Sequence, residues 1–207
     1  QAMKIAVMNE VSASKRNRDI LDALEGVNCE VLNLGMSDPD QSPQLTYLNT
    51  GLMAALALDT GIADFVIGGC GTGQGFLNSV LQYPRVVCGL IQEPLDAWLF
   101  ARINAGNCVS LALNKGYGWA ADLNLKLIFR ELFPAEKEGG YPPERVLSQS
   151  ASREKLRTIS IAAHRPMADI LNALDPGFVR ETVSFGPFYA ALTDASPSAL
   201  RNRLLAF

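Results

Sequence analysis

The chain predicts an α/β protein: a three-layer α/β/α sandwich around a sheet of five parallel strands, followed by a helical C-terminal extension. Three observations lead there. Five short apolar runs recur along the first 113 residues, and a helical stretch separates each from the next. That alternation calls for right-handed crossovers and a parallel sheet covered on both faces. The third run flows into Gly68-Gly69-Cys70-Gly71-Thr72-Gly73-Gln74-Gly75, a strand–glycine loop–helix junction of the kind that presents backbone N–H groups to an anion.

In chain order, residues 4–8 (KIAVM) read as a buried strand ending at Asn9-Glu10. Ser12 or Ser14 can cap the next helix, in which Ile20, Leu21 and Leu24 keep helical spacing until Gly26 stops it. Residues 29–34 form a second strand, 35–43 a loop by composition, and 45–58 a long apolar helix. The third strand is 64–67, and an amphipathic stretch from Phe76 to Tyr83 follows its glycine loop. A fourth strand spans 86–91, and Pro94 opens a helix to about Ile103. The fifth strand is 108–113, with a helix over 120–133. Glu138-Gly139-Gly140-Tyr141-Pro142-Pro143 breaks the pattern, and the strand signals then vanish. Helical segments at 153–163, 166–174 and 197–204 make up a tail too small for a large core of its own. The domains expected are 3–147 and 148–207, the tail packing on the sheet domain or on a neighbouring subunit.

A net charge of -3 gives no electrostatic reason to expect nucleic acid or an anionic membrane as partner. No apolar run approaches the roughly 18 residues that span a bilayer. Met3-Lys4 leads directly into a strand, so no leader is expected, and Gln1-Ala2 read as a cloning remnant. Cys29, Cys70, Cys88 and Cys108 lack metal-type spacing; they suit reduced thiols in a cytoplasmic protein, with no metal site.

Ligands of a parallel sheet sit beyond the carboxyl ends of its strands. Asn9-Glu10, Gly35-Met36, the 69–75 loop and Asn114-Lys115 therefore converge. The loop glycines can take positive φ and turn successive N–H groups into one concavity. Cys70 lies at its lip, where backbone dipoles favour the thiolate, a candidate general base or nucleophile. Gly71-x-Gly73-x-Gly75 is not the G-x-G-x-x-G dinucleotide fingerprint, and no G-x-x-x-x-G-K-[ST] phosphate loop occurs. Cys29, Cys88 and Cys108 read as core, and Trp98 and Phe100 as packing residues.

Cys70-Gly71-Thr72-Gly73-Gln74-Gly75 resembles the C-G-T-G-x-G loop of the ribose/galactose isomerase family, which contains ribose-5-phosphate isomerase B and the galactose-6-phosphate isomerase subunits. The likeness continues in register through Val87-Cys88, Glu93-Pro94, Arg102, Asn104 and Asn107, then Glu138-Gly139-Gly140 and Arg145-Val146. It spans about residues 3–147. It implies a Rossmann-like fold and an intramolecular oxidoreductase that interconverts an aldose and a ketose phosphate through a cis-enediolate, without cofactor.

By that resemblance Cys70 is the base that shuttles the proton. The N–H groups of Gly71, Gly73, Gln74 and Gly75, with Thr72, stabilise the enediolate. Asn9 and Glu10 replace a family Asp-His pair near the sugar hydroxyls, Asn104 matches an asparagine near the reacting carbonyl, and Arg145 matches a phosphate-binding arginine. A homodimer or higher homo-oligomer with shared sites is implied. The family's ring-opening histidine falls on Ile103 and a second phosphate arginine near Tyr141. The single histidine, His164, lies in the tail. An open-chain or resized substrate, a substitute group (Glu10, Lys115 or a partner's tail histidine), or a non-catalytic phosphosugar-binding protein would each account for those replacements.

Overall fold

The computed structural model describes residues 2–134 and 139–207; Gln1 and residues 135–138, including Glu138 of the expected glycine segment, lie outside the described residues. Five parallel strands form one sheet in the order β2-β1-β3-β5-β4: β1 Met3–Asn9, β2 Cys29–Asn33, β3 Phe65–Cys70, β4 Cys88–Ile91 and β5 Cys108–Ala112. Helices α1 (Asn17–Leu24), α4 (Pro94–Leu99) and α5 (Ala121–Leu132) contribute to the core on one face, and α2 (Tyr47–Asp59) and α3 (Gln74–Val80) to the core on the other. The chain leaves β1 toward α1 and the neighbouring β3 toward α3, on opposite faces, so a crevice opens between the carboxyl ends of β1 and β3. Asn9 stands opposite Gly69 there.

Several boundaries differ from the sequence expectation for identifiable reasons. The serines do not begin an α-helix. Glu10 caps a 3-10 segment, Val11–Arg16, by accepting the amide of Ser12, and α1 follows at Asn17. Strand β3 runs three residues further than its apolar run, through Gly68, Gly69 and Cys70. A Cβ on Gly68 would stand 2.1 Å from the Phe76 ring, and one on Gly69 2.5 Å from the Leu111 carbonyl oxygen. These two glycines serve close packing inside the sheet. In the loop itself only Gly73 takes positive φ, at 77°. Helix α4 ends at Leu99 and continues as a π turn over Phe100–Asn104.

The tail forms five helices: α6 Val146–Ala163, α7 Met167–Ala173, α8 Pro176–Val183, α9 Gly186–Asp194 and α10 Ala199–Leu204. Pro176 at the first position and an Asp175 side-chain cap start α8, which buries Val179, Thr182 and Val183 along one face. Met167, Leu171, Val179, Val183, Phe185, Phe188, Leu192 and Leu204 join the same core as α2. That explains why α2 is apolar nearly all round: it is covered by the sheet on one side and by the tail on the other. The boundary expected at 147/148 falls in the first turn of α6. No helix among the described residues is long and apolar enough to cross a membrane.

Gly68→Ala should lower stability by about 1–3 kcal/mol, because its methyl group must displace the buried Phe76 ring. A urea midpoint equal to that of the parent chain would show that the ring has room to give.

Candidate active site

Every conspicuous feature of the glycine loop traces to the carboxyl ends of β3 and β5. Cys70 closes β3 opposite Ala112, and the next residues of the two segments stay tied. Leu113 N–H donates to the Cys70 carbonyl at 3.0 Å, and the amides of Asn114 and Lys115 donate to the Gly71 carbonyl at 3.0 and 2.8 Å. The loop then turns onto α3 through Gly73, whose carbonyl accepts from the buried Ser110 hydroxyl at 2.6 Å.

With its carbonyls held on the β5 side, the loop leaves donors over. The N–H groups of Gly71, Thr72 and Gly75 make no hydrogen bond among the described residues. Cys70 is 7% exposed, and its thiol lies 4.0 Å from the Thr72 hydroxyl, which also accepts from Gln74 N–H at 3.3 Å. A thiol, a hydroxyl and several unclaimed amides therefore lie within one short turn at the carboxyl end of β3, an arrangement suited to a developing oxyanion.

Asn9 is fully buried; its amide donates to Asn17 Oδ1 at 3.1 Å, and its own Oδ1 has no partner among the described residues. A buried acceptor left unpaired costs about 1–3 kcal/mol. Glu10 is buried as well, and Ser12 engages both of its oxygens, the hydroxyl on one and the amide on the other. It shapes the turn after β1, with each oxygen accepting one hydrogen bond from Ser12. Asn114 Nδ2 bonds the Ser12 carbonyl at 2.9 Å, closing the ring of segments around Gly71. Lys115 is exposed at the same end.

Asn104 and Arg145 stand at the opposite end of the sheet. Asn104 ends the π turn just ahead of Asn107, whose carbonyl accepts from Val66 at the start of β3. From Val66 to Cys70 is four strand steps, about 13 Å. Gly140 donates to the Arg102 carbonyl, and Arg153 Nη1 reaches the Ile103 carbonyl at 3.0 Å, so the segment carrying Arg145 lies at that far end too. Ile103 is there also. His164 ends α6 with Nδ1 2.9 Å from the Ser160 carbonyl oxygen and Nε2 3.4 Å from that of Leu81, beyond the far end of α3. Burial pushes the Cys29 and Cys108 thiols above their ordinary range, as befits core positions. Trp98 packs edge-on against Tyr141 and under the Arg102 guanidinium.

Sequence reasoning missed Ser12 and Ser110 as parts of this site, whereas Asn114 was expected at it. A lone serine inside the apolar run Cys108-Val109-Ser110-Leu111 was the one visible signal, since a buried hydroxyl needs a partner. No group of three or more metal-binding side chains occurs among the described residues.

A family profile described as Ribose/Galactose Isomerase matches residues 5–140. A ribose-5-phosphate isomerase from Vibrio parahaemolyticus is 37% identical with a TM-score of 0.94, covering 100% of this chain and 99% of that one. A 4-deoxy-L-threo-5-hexosulose-uronate ketol-isomerase complexed with a tartrate is 38% identical, TM-score 0.93, covering 99% of this chain and all of the other. The ribose-5-phosphate isomerase B of Clostridium thermocellum is 25% identical, TM-score 0.60, and covers 76% of this chain and 97% of its own. Among curated proteins none matches.

Ser110→Ala should cost about 0.5–1.5 kcal/mol by removing one of the two donors to the Gly73 carbonyl, which keeps the Leu77 N–H. The loss is expected as a lower urea midpoint and as faster amide exchange at Gly73 and Gln74. Parent-like values of both would mean that the loop does not hang on this bond.

Proposed function

The chain belongs to the ribose/galactose isomerase family, and from that premise we propose that it interconverts an acidic aldose and its ketose through a cis-enediolate, with Cys70 as the base. One observation carries the reading: a thiol and a hydroxyl lie beside three unclaimed N–H groups at the crevice between β1 and β3. In the forward direction the Cys70 thiolate removes the proton from C2. The C–H electron pair becomes the C1–C2 double bond and O1 takes the negative charge. The unclaimed amides of Gly71, Thr72 and Gly75 stabilise that charge, whereas the amides of Gly73 and Gln74, expected to share the task, are engaged by the Cys70 carbonyl and the Thr72 hydroxyl. The O2 proton passes to O1, the thiol returns its proton to C1, and C2 becomes the carbonyl. Oxidation at C2 balances reduction at C1, so no external oxidant enters. Asn9, with its free acceptor, suits a substrate hydroxyl.

The two replaced family residues favour one substrate class. A 4-deoxy-5-hexosulose uronate has no hydroxyl at C4 or C5 to close a furanose or pyranose ring on C1. It therefore needs no ring-opening group, which agrees with Ile103 at the place where the family resemblance puts a histidine. A carboxylate takes one bidentate arginine where a phosphate takes two, which agrees with Arg145 kept and Tyr141 in the second place. Pentose and hexose phosphates, the substrate class implied by the wider family, form the comparison.

Since Asn104 and Arg145 lie at the far end of their own sheet, they act on the Cys70 of a second copy. Helix α6 supports such pairing, for it buries none of its residues and leaves Leu147, Leu156, Ile159 and Ile161 exposed.

Incubation in deuterated water with the uronate and a panel of sugar phosphates, followed by NMR of the C1 and C2 protons, is expected to show isomerisation and deuterium uptake, fastest with the uronate. Cys70→Ala should abolish both while leaving the fold intact; retained turnover would remove Cys70 from the mechanism. Fastest turnover of a phosphate would reassign the substrate and keep the mechanism. Unfolding, mixing and refolding Cys70→Ala with Arg145→Ala should restore about a quarter of parental activity, since half of randomly paired dimers then hold one intact site of two. Absence of recovery would place both residues in one protomer's site.

A further inference from the structure

We infer that Tyr47 forms a substrate-contacting wall of the site and that the C-terminal extension holds it there through a buried Thr182–Asn49 pair. The inference rests on reading the 70–75 loop as the enediolate cradle, and it adds a specificity-determining residue and a positioning pair to that reading.

Tyr47 is the first residue of α2 and is 42% exposed. Its ring lies flat enough on the loop that a Cβ on Gly75 would meet its carbon atoms at 3.0 Å. The ring thus fills the place where a side chain at 75 would be, beside the unclaimed Gly75 N–H and on the face of the sheet where Cys70 joins the core. Its remaining surface is an apolar plate at the rim of the concavity, of a kind that packs against the C–H face of a sugar chain while the amides hold its oxygens.

What holds the ring is the N-terminus of α2. Thr46 caps the helix, and its backbone N–H and its hydroxyl both donate to Asn49 Oδ1, at 2.9 and 2.8 Å. The other end of that amide, Nδ2, donates to Thr182 Oγ1 at 3.0 Å, and the Thr182 hydroxyl donates onward to the Phe178 carbonyl at 2.7 Å. Asn49 is 4% exposed and Thr182 is fully buried. Every polar atom of this bridge between α2 and α8 is satisfied, so it has one low-energy geometry. Gly51 against Ser79 brings α2 tightly onto α3 one turn later, which fixes the helix from its other side. The Vibrio and uronate-isomerase chains, matched along their whole lengths, are long enough to carry the same extension.

Thr182→Val keeps the volume and removes the acceptor. It is expected to raise KM by at least about threefold with kcat within about twofold, the signature of lost substrate contact. Amide exchange at Tyr47, Asn49 and Gly75 should quicken, and Thr182→Ser should restore both quantities. Tyr47→Ala should raise KM by about tenfold or more, and Tyr47→Phe should stay near the parent value. A Thr182→Val chain with a lower urea midpoint but unchanged KM and unchanged exchange at Gly75 would reduce the pair to a structural role. An unchanged KM in Tyr47→Ala would remove the wall. If no sugar is turned over, the functional reading fails, while exchange at Gly75 in the Thr182→Val chain still decides the coupling. If Thr182→Val does not fold, exchange at Gly75 in a Thr182→Ala chain decides it: quickened exchange supports the brace and parent-like exchange overturns it.

Discussion

Hydrogen bonding between β3 and β5 does not stop where the strands stop, and the site depends on that continuation. The carbonyls of Cys70 and Gly71 are taken by the amides of Leu113, Asn114 and Lys115. Ser110, two residues inside the end of β5, donates to the carbonyl of Gly73. A loop whose acceptors are claimed from one side presents its donors to the other. Preorganised donors of this kind stabilise charge without reorganising as it forms.

The second constraint is close approach. Gly68 lies under Phe76, Gly69 against Leu111 and Gly35 against Asn9, at distances that no Cβ would survive. These contacts bring α3 down onto the sheet and seat Asn9 at the crevice between β1 and β3. Two of the glycines that make the junction conspicuous in sequence, Gly68 and Gly69, therefore serve packing. The donors left unclaimed in the structure come from Gly71, Thr72 and Gly75.

A third layer of dependence runs through α2. An apolar helix with both sides covered cannot be solvated if its outer cover is removed, and α7 to α10 supply that cover. The extension is thus continuous with the core that carries Cys70, and it joins the N-terminal turn of α2 through the one polar bridge of that interface described above. Helix α6 differs in kind: it buries none of its own residues and keeps an apolar surface open.

Much of this was legible in the chain. Apolar runs of strand length separated by helical periods allowed only a covered parallel sheet, because local chemistry sets element type. The glycine junction marked the candidate site, and the C-G-T-G-x-G likeness pointed to the family to which the chain belongs. Other features had no local signature. Strand order with β5 between β3 and β4 arises from long-range pairing. The continuation of β3 through two glycines depends on Phe76 and Leu111, residues that only tertiary packing brings near. Glu10 appeared from its position to face a substrate, yet the turn after β1 needed a cap and claimed both of its oxygens. Asn104 and Arg145 followed the family spacing, but the direction of α4 and α6 carries them to the far end of the sheet. Sequence determined the elements and the chemistry available at each strand end, since both are local properties. Tertiary structure decided which of those groups meet, because that depends on where distant segments are packed.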